Sequence, residues 1–149
     1  MVRRIFLITL ILGLVIPASL PAASEDNIYL ETIGAFSGSY IYTSYAYIGS
    51  AADAFAKDIY PASQIKAMMD EKVHILDNLS QMLQKVRSTN IADNDKVFLD
   101  AIMEILGLLK TEADALSAFA TSKDPSEMER YDQARKKAWP KIKKLLGIN

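Results

Sequence analysis

The sequence predicts an all-α protein, an antiparallel up-down-up-down four-helix bundle, and three observations carry that prediction. Apolar residues recur at three- and four-residue steps along four segments, and no segment alternates as a half-buried strand does. Short polar or proline-bearing connectors separate the segments, which makes consecutive helices antiparallel neighbours. The chain contains no cysteine, so its stability has to come from packing, which a bundle of this length supplies.

Ahead of the bundle stands a leader. Arg3 and Arg4 precede an apolar run over residues 5–16, then Pro17 and the small residues 18–24, the three-part form of a secretory signal peptide. The run is short against the roughly 20 apolar residues that span a bilayer. The expectation is a signal peptide over residues 1–24, cleaved after Ser24 or Ala23, and one helical domain over residues 25–149 that is exported to a periplasmic or extracellular site.

The first helix is expected over residues 27–60. Within it, residues 32–52 carry no formal charge and mix three glycines with Ala, Ser, Thr and four tyrosines, Tyr40, Tyr42, Tyr45 and Tyr47. At 100° per residue Leu30, Ile33, Ile41, Ile48, Phe55 and Ile59 fall within roughly 80° of one another, a stripe that β-alternation would scatter. Gly34, Gly38, Gly49, Ala52 and Ala56 form a second stripe of very small side chains beside it. Each interior glycine costs about 1 kcal/mol relative to alanine, so tertiary contacts must offset them. The segment therefore reads as the central helix, sandwiched among the others, with its glycines letting a neighbouring backbone approach. Gly34, Gly38, Tyr45, Gly49 and Ala52 are the candidate seam for helix packing or for a small apolar ligand. The tyrosines do not make one cage: Tyr40 and Tyr47 lie about 20° apart, while Tyr42 and Tyr45 point elsewhere.

Pro61 opens the second helix, expected over residues 61–87, with Ile65, Met68, Met69, Leu76, Leu79, Leu83 and Val86 on its stripe. The third is expected over residues 93–122, with Asp93 as N-cap, Asp95 complementing the dipole, and Phe98, Ile102, Ile105, Leu109, Leu116 and Phe119 facing inward. Asp124, Pro125 and Glu127 start the fourth, expected over residues 125–146, and Gly147 stops it. Pro140 removes the bond to the Lys136 carbonyl, so a kink or break is expected there, with Trp139 at the bend.

Charge divides along the chain. Residues 25–124 hold fifteen Asp or Glu against eight Lys or Arg, and residues 125–149 hold three against seven. That balance argues against nucleic acid as a partner, which calls for a basic surface over the whole domain. The basic end is a cationic amphipathic helix: Arg135, Lys136, Lys137, Lys141, Lys143 and Lys144 form a candidate envelope-contact surface for anionic membrane or an acidic partner. The same cations also complement a helix C-terminus.

The chemical constellations are thin. Glu71 and His74 spell one E-x-x-H, but a di-iron bundle needs two such pairs and the chain has a single histidine, which points away from the core stripe. A Ser or Thr nucleophile needs a base, and the one histidine would have to leave the surface to supply it; no Gly-rich phosphate loop follows a strand. Glu31, Asp53, Glu104 and Glu112 read as solubilising charge. No metal, cofactor or catalytic residue is expected.

Glu31-Thr32-Ile33-Gly34 through Ile48-Gly49 and the Ala52-Asp53 pair, with the ending Arg135-Lys136-Lys137-Ala138-Trp139 through Leu145-Leu146-Gly147, resemble short exported bacterial helical proteins without an assigned function. In shape the bundle is also similar to the haem-free periplasmic sensor domains of chemoreceptors, although no signalling module follows. Neither resemblance implies an activity or transfers a site. The functional expectation is a non-enzymatic exported bundle acting as a binding or structural module for an unknown protein or envelope component. The alternative is a small-ligand or cofactor carrier with an apolar pocket beside Gly38 and Gly49.

Overall fold

Four helices, α1 (Glu25–Ala56), α2 (Ala62–Arg87), α3 (Asp93–Ser122) and α4 (Pro125–Leu146), make up the computed structural model, which describes residues 25–148. The expected signal peptide lies outside the described residues. The bundle is all-α, as the periodicities require.

Cross-helix pairs give the directions. Arg87 with Asp100, Asp77 with Lys110 and Asp70 with Ser117 join α2 to α3, with positions rising on one helix as they fall on the other. Glu104 with Lys141 and Glu112 with Arg135 do the same for α3 and α4. Phe55 meets Phe119 edge-on at 6.3 Å between ring centroids and Gly34 faces Phe98, so α1 and α3 run parallel along the short diagonal. Consecutive helices are antiparallel, and α2 and α4 do not meet among the described residues.

The centre of the bundle is α3, which corrects the expectation that α1 is enclosed by its siblings. Leu99, Ile102, Ile105, Leu106, Leu109, Ala113, Leu116 and Ala120 of α3 are all buried, and this helix packs against the other three. From α1 the core receives Ile41, Ile48 and Ala51 together with Ser37 and Ser44, an alternating three- and four-residue stripe of modest volume. Small side chains there let the α1 and α3 axes approach. Ile65, Met69, Leu76 and Leu83 of α2, and Tyr131, Ala134, Ala138 and Ile142 of α4, complete the core.

Helix ends differ from expectation in three places, the first being Pro61, which is the N-cap of α2 rather than its first helical residue. α1 stops at Ala56 rather than near residue 60, because Asp58 turns left-handed at φ 54 and the chain closes with Asp58 N–H donating to Phe55 O and Ile59 N–H to Ala54 O. This is a six-to-one closure with aspartate in place of the usual glycine, and it leaves Ile59, expected in the core stripe, 63% exposed. Asp93 is not the N-cap of α3: Ala92 is, without a side-chain bond, and Asp93 is the first helical residue, paired with Lys96 at 3.1 Å. The fourth helix continues through Pro140, so of the expected kink or break the break does not occur. Its start follows expectation, Asp124 accepting from Ser126 N–H at 2.9 Å with Pro125 at the first helical position.

Candidate functional site

The most distinctive cluster joins three helices around one buried ion pair. Glu112 sits on the inner face of α3 with no exposed surface, and Arg135 of α4 donates from Nη1 to its Oε1 at 2.5 Å. The same Nη1 donates to the Tyr45 carbonyl of α1 at 3.1 Å, and the guanidinium lies 3.9 Å from the Tyr45 ring centroid. Trp139 stacks on Tyr45 at 5.3 Å, one turn further along α4. A single arginine thereby ties α1, α3 and α4 through one charge-assisted bond, one backbone bond and one cation–π contact.

Gly49 makes room for it. A Cβ there would fall 2.4 Å from Arg135 Nη2, a separation that real atoms do not adopt. Gly38 similarly faces Leu146 and Gly34 faces Phe98, each with side-chain carbon 2.9 Å from where a Cβ would stand. The glycines of α1 thus receive side chains from α3 and α4 rather than a neighbouring backbone. Of the remaining seam residues, Ala52 and Tyr45 are half-buried.

The electrostatics of the pair follow from burial. Removal from water pushes the Glu112 carboxyl up to about 7, an increase that the hydrogen bond and charge of Arg135 offset only in part. Tyr131, buried beside the pair, is pushed up to about 12, again by desolvation. Glu112 Oε2 and Ser44 Oγ have no hydrogen-bond partner among the described residues. Glu112 nevertheless lacks what acid–base catalysis needs, because it has no exposed surface and its paired group is an arginine that stays protonated.

Sequence reasoning placed Glu112 at the surface and Arg135 on an outward basic face, and both placements are corrected. The signal was present on the wheel: Glu112 lies within about 40° of Leu116 and Ile105, and Arg135 within about 40° of Ile142 and Tyr131. A charge embedded in an apolar stripe is a candidate for burial with a partner. Of the other basic residues of α4, Lys136, Lys137 and Lys144 are exposed, Lys143 is half-buried, and Lys141 bridges Glu104 at 2.9 Å. The apolar face of that helix, Ala138 and Ile142 above all, is spent in the core.

Elsewhere the chemistry stays at the surface. His74 is exposed and bonds Asn78 at 3.2 Å; Tyr40 and Tyr47 share Lys72, which lies 5.1 and 4.8 Å from their ring centroids, while Tyr45 turns to α4. Two open clefts of about 460 and 450 Å³ flank Phe98 and Leu145 at the end of the bundle where α4 finishes, the first floored by Gly34 and Gly38. Among the described residues no three His, Cys, Asp or Glu side chains are grouped to hold a metal ion, and no helix is long and apolar enough to cross a membrane. Comparison with models of known protein families, with curated proteins and with solved structures finds no match.

Proposed function

We propose that this protein is a non-enzymatic binding or structural module of the cell envelope, a bundle whose work is done by its surface. The observation that carries this reading is that Leu146 and Arg135 pack directly against Gly38 and Gly49, so that the clefts beside these glycines are open to solvent rather than the enclosed apolar cavity a carrier needs. The buried ion pair supports it too, since Arg135 donates both to Glu112 and to the Tyr45 carbonyl and so joins three helices, which locks a shape rather than presents a reagent. The two arginines followed by an apolar run at residues 3–16 support an exported location for the module. Lys136, Lys137 and Lys144 give it a peripheral contact with anionic membrane or an acidic partner.

Purification from the native envelope under mild conditions, followed by mass spectrometry and absorbance, tests the reading. The expected preparation holds the chain without a chromophore or stoichiometric metal. A bound cofactor, or turnover of a small substrate, contradicts it.

A further inference from the structure

The two members of the buried pair differ in what they leave over. Glu112 has no exposed surface, whereas the Arg135 side chain keeps 28% of its own. Arg135 Nη1 serves Glu112 and the Tyr45 carbonyl, while Nη2 and Nε donate to no acceptor among the described residues. Nη2 lies against Gly49, where the absent Cβ leaves it room. Guanidinium donors in that position are satisfied by water or by a ligand. Because Glu112 and Tyr45 anchor the arginine, those free donors are held in place before any ligand arrives.

Arg135 opens onto a cleft between α1 and α4 of about 300 Å³, whose walls include Tyr42, Tyr45, Ser50, Asp53 and Trp139. Tyr42 is 46% exposed, Ser50 and Asp53 are exposed, and the Asp53 carboxylate forms no ion pair or side-chain hydrogen bond among the described residues. The cleft therefore brings together a group that only donates, a group that only accepts and a hydroxyl that does both, beside aromatic ring surface. Asp53 and Arg135 are its charged residues, so its formal charge cancels. A second open cleft of about 370 Å³ adjoins it at Tyr45, Arg135 and Trp139 and adds Asp132 and Lys136, a further cancelling pair.

We infer that this cleft binds an uncharged glycan, one pyranose ring seated against Tyr42 and Trp139 with neighbouring hydroxyls bridging Arg135 and Asp53. The inference rests on the binding-module reading and names the class of envelope component that the module takes. A hydroxyl donates and accepts at once, so two adjacent hydroxyls satisfy a guanidinium and a carboxylate together, while the C–H face of the ring packs on aromatic carbon. Other occupants fit less well. An organic cation would meet the charge of Arg135, and an anion that of Asp53. An extended peptide needs free backbone partners, and α1 and α4 keep theirs bonded within the helix. An open cleft at the small end of ligand sites suits one ring of a longer chain, with the adjoining cleft taking the next.

Trp139 is the single tryptophan of the chain, so its emission reports the cleft directly. The protein, purified in the form its host accumulates, is titrated with chitotriose, cellotriose, maltotriose and mannotriose to about 10 mM, and a tryptic digest of serum albumin serves as the peptide arm. The expected result is a saturable change in emission with at least one of the four trisaccharides. Asp53→Ala and Tyr42→Ala should each weaken that binding by about tenfold or more, with helicity and melting temperature unchanged because both side chains are exposed, and Tyr42→Phe should retain it. No response to any of the four, binding undiminished in Asp53→Ala or Tyr42→Ala, tighter binding of a uronic-acid trisaccharide than of its neutral counterpart, or a response to the peptide digest alone would each overturn the inference. The broader binding-module reading survives those results and falls by others, a copurifying cofactor or the cleavage of a bound glycan into new reducing ends.

Discussion

Helices α1 and α3 are nearly equal in length and run parallel, yet they do opposite work. α1 has no charge over residues 32–52 and nevertheless turns aromatic rings to solvent; α3 carries charge along its length and is the most enclosed element of the bundle. Burial follows the volume and spacing of the apolar side chains, not the absence of charge. Along α3, leucine and isoleucine recur often enough to meet three neighbours at once, and its charges fall on the remaining arc, apart from Glu112, which is paired. Among the described residues, the inward stripe of α1 holds only Ile41 and Ile48 as large, fully buried side chains, so one side of that helix suffices for the core and the other is left free.

The difference is open to attack by substitution. Breaking the pair between the two helices and α4 should have the largest effect: Arg135→Ala leaves Glu112 buried and unpaired and should cost about 3–5 kcal/mol of unfolding free energy in urea titration. Next comes the direct contrast. Leu109→Ala on α3 should cost about 2–5 kcal/mol, whereas Phe36→Ala on α1, a larger truncation, should stay within about 0.5 kcal/mol for the dilute chain. Equal costs would erase the distinction.

The pair also carries a pH signature. The Glu112 carboxyl titrates near its ordinary 4.5 when unfolded and near 7 in the folded chain, so the folded state holds the extra proton between those values. Its contribution to stability is therefore fully present below pH 4.5 and is lost as the pH rises through 7, by up to roughly 3 kcal/mol. Glu112→Gln should flatten that slope in denaturant titrations from pH 4.5 to 8. A wild type whose stability rises across this window would contradict the desolvation argument.

The glycines give the most diagnostic effects, of opposite sign on the two helices. Gly49→Ala must displace Arg135 and should destabilise by about 1–3 kcal/mol. Gly107→Ala on α3, where no atom lies within 4 Å of the new methyl, should stabilise by up to about 1 kcal/mol through helix propensity alone, as a rise in melting temperature.

Much of this was legible beforehand. Spacing alone located four helices, and the Asp124, Pro125 and Glu127 signal placed the start of α4. The wheel of α1 put Ile41 and Ile48 on the inward side; what it did not reveal is that the opposite side is left uncovered, because no charged residue over 32–52 marks it as a surface. Asp58 ended α1 early by accepting a left-handed conformation, which aspartate tolerates without announcing it as glycine does. The Glu112 and Arg135 positions were readable on their own wheels. Their partnership was not, since it depends on the register between two helices that no single periodicity records.

Neighbouring residues on α1 provide the most direct test, because Thr43 points outward and Ser44 is buried. Single-cysteine variants at these two positions would be labelled with a thiol reagent at nanomolar concentration, below any self-association. If α1 is an outer helix with one docked side, Thr43→Cys reacts at the rate measured in urea and Ser44→Cys at least on the order of 100-fold more slowly, limited by local opening. Protection of both positions would mean that α1 is enclosed on all sides, and rapid labelling of both that it does not dock; either result would contradict the account.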